Sequence, residues 1–182
     1  MGFVVIGVDI GTSLGWSVFD GNLVASGQVE LKRNGWEGFG VRPVRAASLV
    51  RELLARWPGA SVAVELVRRH SATQAAQVYG AILGGVTGAV EEVGGARYFF
   101  VDVGEAKRVA TGYGHAGKEG MVDSAKRTFN LDNVGEDEAD AIWIAVAAWR
   151  RETSPLEERE TASEARQRLK NRRKRGDHVA GE

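Results

Sequence analysis

The chain opens on the stretch that most constrains its fold. Phe3–Asp9 reads FVVIGVD, a nearly continuous apolar run rich in valine and isoleucine that ends on a carboxylate. A run without polar alternation suits a central strand buried on both faces, so helices must cover both sides of its sheet. An aspartate at the end of such a strand is costly unless it is solvated or paired with a cation. Leu14–Phe19 follows at once, and Asp20-Gly21-Asn22 is a tight hairpin signal before a third strand over Leu23–Leu31. Three antiparallel strands are therefore expected first.

A glycine-rich loop through Trp36–Gly40 comes next. Pro43 falls where a first helical turn tolerates it, and Val44, Ala47, Val50, Leu54 and Trp57 recur at helical spacing up to Pro58-Gly59. Ser61–Val67 reads as a fourth strand. A long helix follows to about Val93, with Ser71 or Thr73 as its cap and Gly94-Gly95 closing it. Arg97–Val103 is a fifth strand. Helices are expected over Gly104–Ala110, about Lys118–Phe129 and about Glu136–Arg151. Strands four and five can run parallel to the first through right-handed crossovers. The expectation is an α/β domain with a mixed five-stranded sheet, three antiparallel strands followed by parallel ones, and helices on both faces.

With 182 residues the chain holds one well-buried domain, expected over 1–152, followed by a charged tail over 153–182 that is read as flexible. There are no cysteines, which excludes disulfides and thiolate metal sites. The short apolar start lacks a basic leader, and the closest approach to a membrane-length apolar run, Ala81–Val93, is rich in glycine and ends in Glu91-Glu92. Neither a signal peptide nor a membrane span is expected, which is consistent with a cytoplasmic protein. Net charge is zero, but Arg166–Arg175 (RQRLKNRRKR) is almost entirely basic, and this points to an anionic partner for the tail. A solvated extension or a contact to another protein would carry the same charges.

Four carboxylates stand out. Asp9 and Glu65 each interrupt an apolar strand, and neighbouring parallel strands would bring them to one sheet end. Asp137 and Asp140 share one face at the start of the last core helix. Hard oxygen ligands suit Mg²⁺ or Mn²⁺, and the lack of cysteine with only three histidines disfavours zinc. Two such ions can support in-line phosphodiester hydrolysis. Asp137 also suits the helix dipole, and Asp9 could cap the turn with Gly11 and Thr12. Glu65 has no ready structural explanation. Glu136 and Glu138 read as solvated first-turn acids, and His115 as a loop residue. Lys118 is a candidate to neutralise a scissile phosphate or orient water, or else a solvated lysine at a helix start. Arg68 and Arg69 follow Glu65 where they could touch phosphates, or form a solvated loop. Gly80, Gly84 and Gly88 make a bare stripe on the long helix, open to close backbone approach by a partner or by the chain's own sheet.

These motifs together resemble those of RuvC-type Holliday junction resolvases, members of the RNase H-like superfamily. Val8–Val18 (VDIGTSLGWSV) is similar to the first motif and Val64-Glu65 to the second. Lys107 with Gly112–Lys118 (GYGHAGK) resembles the family's lysine and glycine loop. Glu136–Ala145 (EDEADAIWIA) resembles its terminal Asp-x-x-Asp-Ala helix. The resemblance covers roughly residues 3–150. It implies a homodimeric endonuclease that nicks four-way junctions with Mg²⁺ or Mn²⁺, two ions per site, in the cytoplasm and nucleoid of a bacterial or phage-infected cell. Asp9, Glu65, Asp137 and Asp140 become metal ligands by motif position. Lys107 and Lys118 become residues near the DNA backbone, and the Gly80, Gly84 and Gly88 helix becomes the dimer interface. Arg172, Arg173, Lys174 and Arg175 of the tail are added as DNA contacts on charge alone. One departure matters. The bacterial members carry a stacking aromatic soon after the strand-four glutamate, whereas Leu66-Val67-Arg68-Arg69-His70 has none. Broader activity on branched DNA, as in a compact phage-type or divergent resolvase, is the expected consequence.

Two other classes share parts of the pattern. Actin and sugar-kinase-like nucleotide-binding proteins use a similar first hairpin to cradle phosphate, but they need a second facing domain. A non-catalytic nucleic-acid-binding module on the same fold would not need four acids, which repel phosphate without metal.

Overall fold

The computed structural model describes residues 2–67 and 72–154. Residues 1–150 form one compact unit, and a second unit begins at Arg151. The expected tail contacts at Arg172, Arg173, Lys174 and Arg175 lie outside the described residues, as do Arg68 and Arg69.

The elements are β1 (Val5–Ile10), β2 (Ser13–Phe19), β3 (Leu23–Glu30), α1 (Val41–Arg56), β4 (Ser61–Leu66), α2 (Thr73–Val93), β5 (Tyr98–Asp102), α3 (Val103–Thr111), α4 (Lys118–Phe129) and α5 (Glu136–Thr153). The sheet order is β3-β2-β1-β4-β5. β1 pairs antiparallel with β2 and parallel with β4, while β4 runs parallel to β5. The expected mixed five-stranded sheet is the one observed. Every residue of β1 is buried, as its unbroken apolar run requires.

Alternation along the strands divides the interior in two. Ile6, Val8, Ile10, Leu14, Val18, Val62 and Val64 point toward α1 and α2 and pack with Val50, Leu54, Ile82 and Val86. Val5, Phe19, Ala63 and Val101 point the other way, into a cluster built on α5 with Met121, Ile142 and Trp143. Ala139 and all residues from Ala141 to Ala148 are buried in α5. A helix buried on every side is a core helix, and here it lies between the sheet and α3–α4. The Trp143 indole N–H donates to the Met121 carbonyl at 3.1 Å, and Trp149 donates to Phe3 at 2.9 Å.

Two local expectations differ from what forms, and a third holds. Val44 was expected on the buried stripe of α1 but is exposed, and Ala46 and Leu53 are buried in its turn. Helix α2 begins after Ala72, with Thr73 as its first residue rather than its cap, and no side chain caps it. The turn at Asp20-Gly21-Asn22 forms as expected: Gly21 takes φ +113° and the Asn22 N–H donates to the Asp20 carboxylate at 3.1 Å.

Candidate active site

The site grows from how closely α5 lies on the sheet. A Cβ added at Gly7 would overlap the Ala141 carbonyl, and one added at Gly15 would overlap the Asp137 carbonyl. Gly7 lies opposite Ser17 and Gly15 lies opposite Asp9, so the two glycines form one diagonal across β1 and β2. The Ser17 hydroxyl then donates to the Ala141 carbonyl at 2.8 Å, a buried bond that fixes the helix in register. Asp137 and Asp140, next to these contacts, are thereby held over the sheet end that carries Asp9. Val8 pairs with Val64 in parallel register, so Asp9 and Glu65 are the next residues along two neighbouring strands.

Electrostatics couples the acids to one another. Burial raises the Asp9 carboxyl well above its ordinary value, and the charges of Glu65, Asp140 and Asp137 push in the same direction. Burial also raises Glu65, with Asp140 adding to it, while a hydrogen bond from Asp9 and the charge of Lys107 oppose the shift. Asp9 and Glu65 are therefore coupled, each shifted upward in the presence of the other acids. Burial likewise raises Asp140, against the charges of Lys118 and Lys107. Lys107 lines one small pocket with Glu65 and Asp140.

Among the described residues no three acidic or histidine side chains are already drawn into a closed cation cage. Crowded hard oxygen donors at a partly desolvated sheet end fit one class of ligand, a divalent cation.

Other candidates take different places. Lys118 opens α4 and pairs with Glu136 at 2.7 Å on the surface, and this pairing raises its pKa. Glu136 is thus an ion-pair partner rather than simply a solvated acid. Glu138 is half-buried and bonded. It accepts from the Ser26 hydroxyl at 2.6 Å and reaches back toward the Gly135 N–H at 3.5 Å, as in a capping box. His115 stacks edge-on with Tyr113 in the loop before α4. Among the described residues, Gly80, Gly84 and Gly88 would meet nothing within 4 Å if given a Cβ, whereas Gly85 would overlap the Pro43 carbonyl. Packing against the chain's own sheet therefore does not explain the three-glycine stripe.

Tyr79 escaped the sequence reading. Its hydroxyl donates to the Glu65 carbonyl at 2.7 Å and so braces the strand end that carries that acid. It is the only aromatic residue of α2, a signal that was available. Gly7, Gly15 and Ser17 escaped too, because a close approach between distant segments leaves no local pattern.

No family model matches the chain. The crossover junction endodeoxyribonuclease RuvC of Prochlorococcus marinus (strain MIT 9303) is 30% identical over 157 residues, spanning 80% of this chain and 97% of the relative. Thermus thermophilus RuvC superposes with a TM-score of 0.67 at 28% identity, over 81% of this chain and 95% of that one. The same Thermus enzyme in complex with Holliday junction substrate gives 0.69 at 29% identity, over 80% and 92%. Among the described residues no helix is long and apolar enough to cross a membrane. Motif order, sheet topology and nearly full-length similarity agree, and the chain belongs to the RuvC family of crossover junction endodeoxyribonucleases, with the RNase H-like fold.

Proposed function

We propose that this chain hydrolyses phosphodiesters in branched DNA, four-way junctions included, and does so as a homodimer. The observation that carries the proposal is the mutual crowding of Asp9, Glu65 and Asp140 at one sheet end. Asp9, Glu65, Asp137 and Asp140 would hold the divalent cations, Mg²⁺ or Mn²⁺, and two ions are the number such a set suits. When bound, the ions supply the positive charge that in-line hydrolysis of a phosphodiester requires. The residues of the chain do the rest. Helix α5, seated by Gly7, Gly15 and Ser17, holds its two aspartates in position without relying on a loop. Lys107 stands against Glu65 and Asp140, where its charge can meet both the acids and an incoming phosphate. Lys118 trades Glu136 for phosphate when DNA arrives, a low-cost exchange because that pair is exposed.

Arg68, Arg69 and the tail residues Arg172, Arg173, Lys174 and Arg175 are proposed as phosphate contacts on charge alone. Each phosphate neutralised would steepen the salt dependence of duplex binding by about 0.9 in log–log slope. The open faces of Gly80, Gly84 and Gly88 are the proposed seat of the second protomer. The nucleotide-binding reading gains nothing from the relatives, both of which are named as junction nucleases or solved as RuvC.

The deciding experiment incubates the protein with four-way, Y-shaped, flap and linear duplex DNA, with and without Mg²⁺ or Mn²⁺. Cation-dependent nicks in the branched substrates are expected. Binding without cleavage under every cation would leave only the non-catalytic module.

A further inference from the structure

The loop between β3 and α1 carries an unusual surface. Trp36 is 85% exposed and Phe39 55% exposed, among the largest exposures of any large apolar side chains described. Water disfavours a tryptophan held out in this way, so an exposed Trp36 beside an exposed Phe39 makes a contact surface for a partner. The loop is fixed. Glu37 accepts from the Asn34 N–H at 2.7 Å and from the Arg45 guanidinium at 2.6 Å, and Arg45 also donates to the Lys32 carbonyl. Leu31, at its base, is fully buried, and its N–H donates to the Thr12 carbonyl at 3.0 Å.

Topology brings this loop to the catalytic end of the sheet. β3 ends beside the start of β2, where Ser13 pairs with Glu30, and β2 starts where β1 has just ended after Asp9. A cavity of about 530 Å³ lies at the same end. Ile10, Gly11 and Thr12 line it from the turn after Asp9, and Tyr79 lines it from behind Glu65. Arg42, two residues beyond the loop, lines it as well. Neither Arg33 nor Arg42 has a carboxylate partner among the described residues.

We propose that Trp36 is a stacking platform for an unpaired nucleobase of the bound DNA, with Phe39 beside it and Arg33 and Arg42 on the adjoining phosphates. This rests on the reading of the chain as a branched-DNA nuclease. The charge pattern selects the occupant. Exposed aromatic faces flanked by uncompensated guanidinium groups match a base and its backbone, and base–aromatic stacking tolerates any sequence. The segment just after Glu65 (LVRRH) carries no phenylalanine, tyrosine or tryptophan. A fully paired duplex presents no free base face, so the platform discriminates branched or opened DNA from duplex.

The test compares wild type, Trp36→Ala and Trp36→Phe on two substrates in Ca²⁺. One is a four-way junction with 2-aminopurine at the crossover, and the other is a paired duplex of equal length. Wild type should quench the crossover 2-aminopurine. Trp36→Ala should lose most of that quenching and bind the junction about tenfold more weakly, which is about 1.4 kcal/mol. It should bind the duplex as before, and Trp36→Phe should retain most of the wild-type behaviour. If wild type neither binds nor cuts any branched substrate, the nuclease reading itself fails. If wild type binds and cuts but Trp36→Ala matches it in quenching and affinity, the platform alone is refuted. Loss of dimer mass in Trp36→Ala with DNA contacts unchanged would also refute it, because the loop would then serve self-association. Melting curves show whether the alanine variant folds, and the phenylalanine variant together with the quenching signal decides the matter if it does not.

Discussion

The two faces of the sheet are built from alternate residues of the same strands, yet they solve different problems. Toward α1 and α2 the strands present branched and long aliphatic chains: Ile6, Val8, Leu14, Val18 and Val64. Toward α5 the same strands present Gly7, Gly15, Ser17 and Ala63, with Asp9 and Glu65 at the end. The first face gains stability by filling volume. The second gives up that volume so that a helix backbone can lie against the strands and deliver two acids to two others. Neighbouring residues can thus have opposite duties, with Leu14 holding the domain together and Gly15 setting the site.

The sharpest test removes the chemistry and leaves both faces in place. Asp140→Asn should lower junction cleavage by on the order of a thousandfold or more while retaining junction binding. Asp9→Asn should do the same and also raise the melting temperature of the cation-free protein, since it removes a buried charge that its neighbours repel. An Asp9→Asn protein that melts lower than wild type without cation would show that the crowding is not real.

The contrast between the two faces can be broken at adjacent positions. Leu14→Ala should cost about 2–5 kcal/mol by opening a cavity, yet the folded fraction should cleave with normal kcat. Gly15→Ala should cost about 1–3 kcal/mol through overpacking against the Asp137 carbonyl, and its kcat should fall as well. Equal loss of kcat in both variants, read with urea melts, would mean the faces are not divided in this way.

A cation should sharpen the contrast further. Asp9, Glu65 and Asp140 all have folded-state pKa values raised above their ordinary ones. Groups shifted in that direction give stability that is complete below the ordinary carboxylate range of about 4 and is lost as pH rises through the raised values. Cation-free protein should therefore weaken as pH climbs from about 4 toward neutrality. Mg²⁺ at a hundred times its Kd should return about 2.7 kcal/mol at pH 7. A melting temperature that is flat in pH and indifferent to Mg²⁺ would count against a carboxylate cation site.

The smallest effect concerns the open stripe on α2. Gly84→Ala adds a methyl that touches none of the described residues and should stabilise the isolated helix by about 0.5–1 kcal/mol. If a second protomer packs there, the same change should instead weaken association in light scattering. A variant that is more stable with unchanged mass would remove the stripe from the interface.

The order of elements was legible because it rests on local signals. Unbroken or periodic apolar runs, the Asp20-Gly21-Asn22 turn and Gly94-Gly95 each act over a few residues. Asp9 and Glu65 were legible for the same reason, as acids standing where apolar runs should continue. The partnerships were not. Glu138 finds Ser26 and Lys118 finds Glu136 only after the sheet and helices have docked, and nothing near those residues announces it. Glycines are the clearest case. Gly15 and Gly84 are the same letter in the sequence, but one is pressed against a carbonyl and the other faces open space.

The bond from Ser17 to the Ala141 carbonyl has an evolutionary consequence. An α-helix turns about 100° per residue, so its side chains move around the axis in coarse steps. Ala141 is clamped to the sheet, and Asp140 is the residue before it, so its heading cannot drift. Inserting or deleting one residue between the clamp and the acids would swing a carboxylate by a full step, while length changes in the 130–135 connection would leave its bearing untouched. Descendants of this chain can therefore vary freely in that connection, but indels within α5 near residue 140 are closed to them, as surely as a lock tolerates a longer key bow but not a shifted tooth.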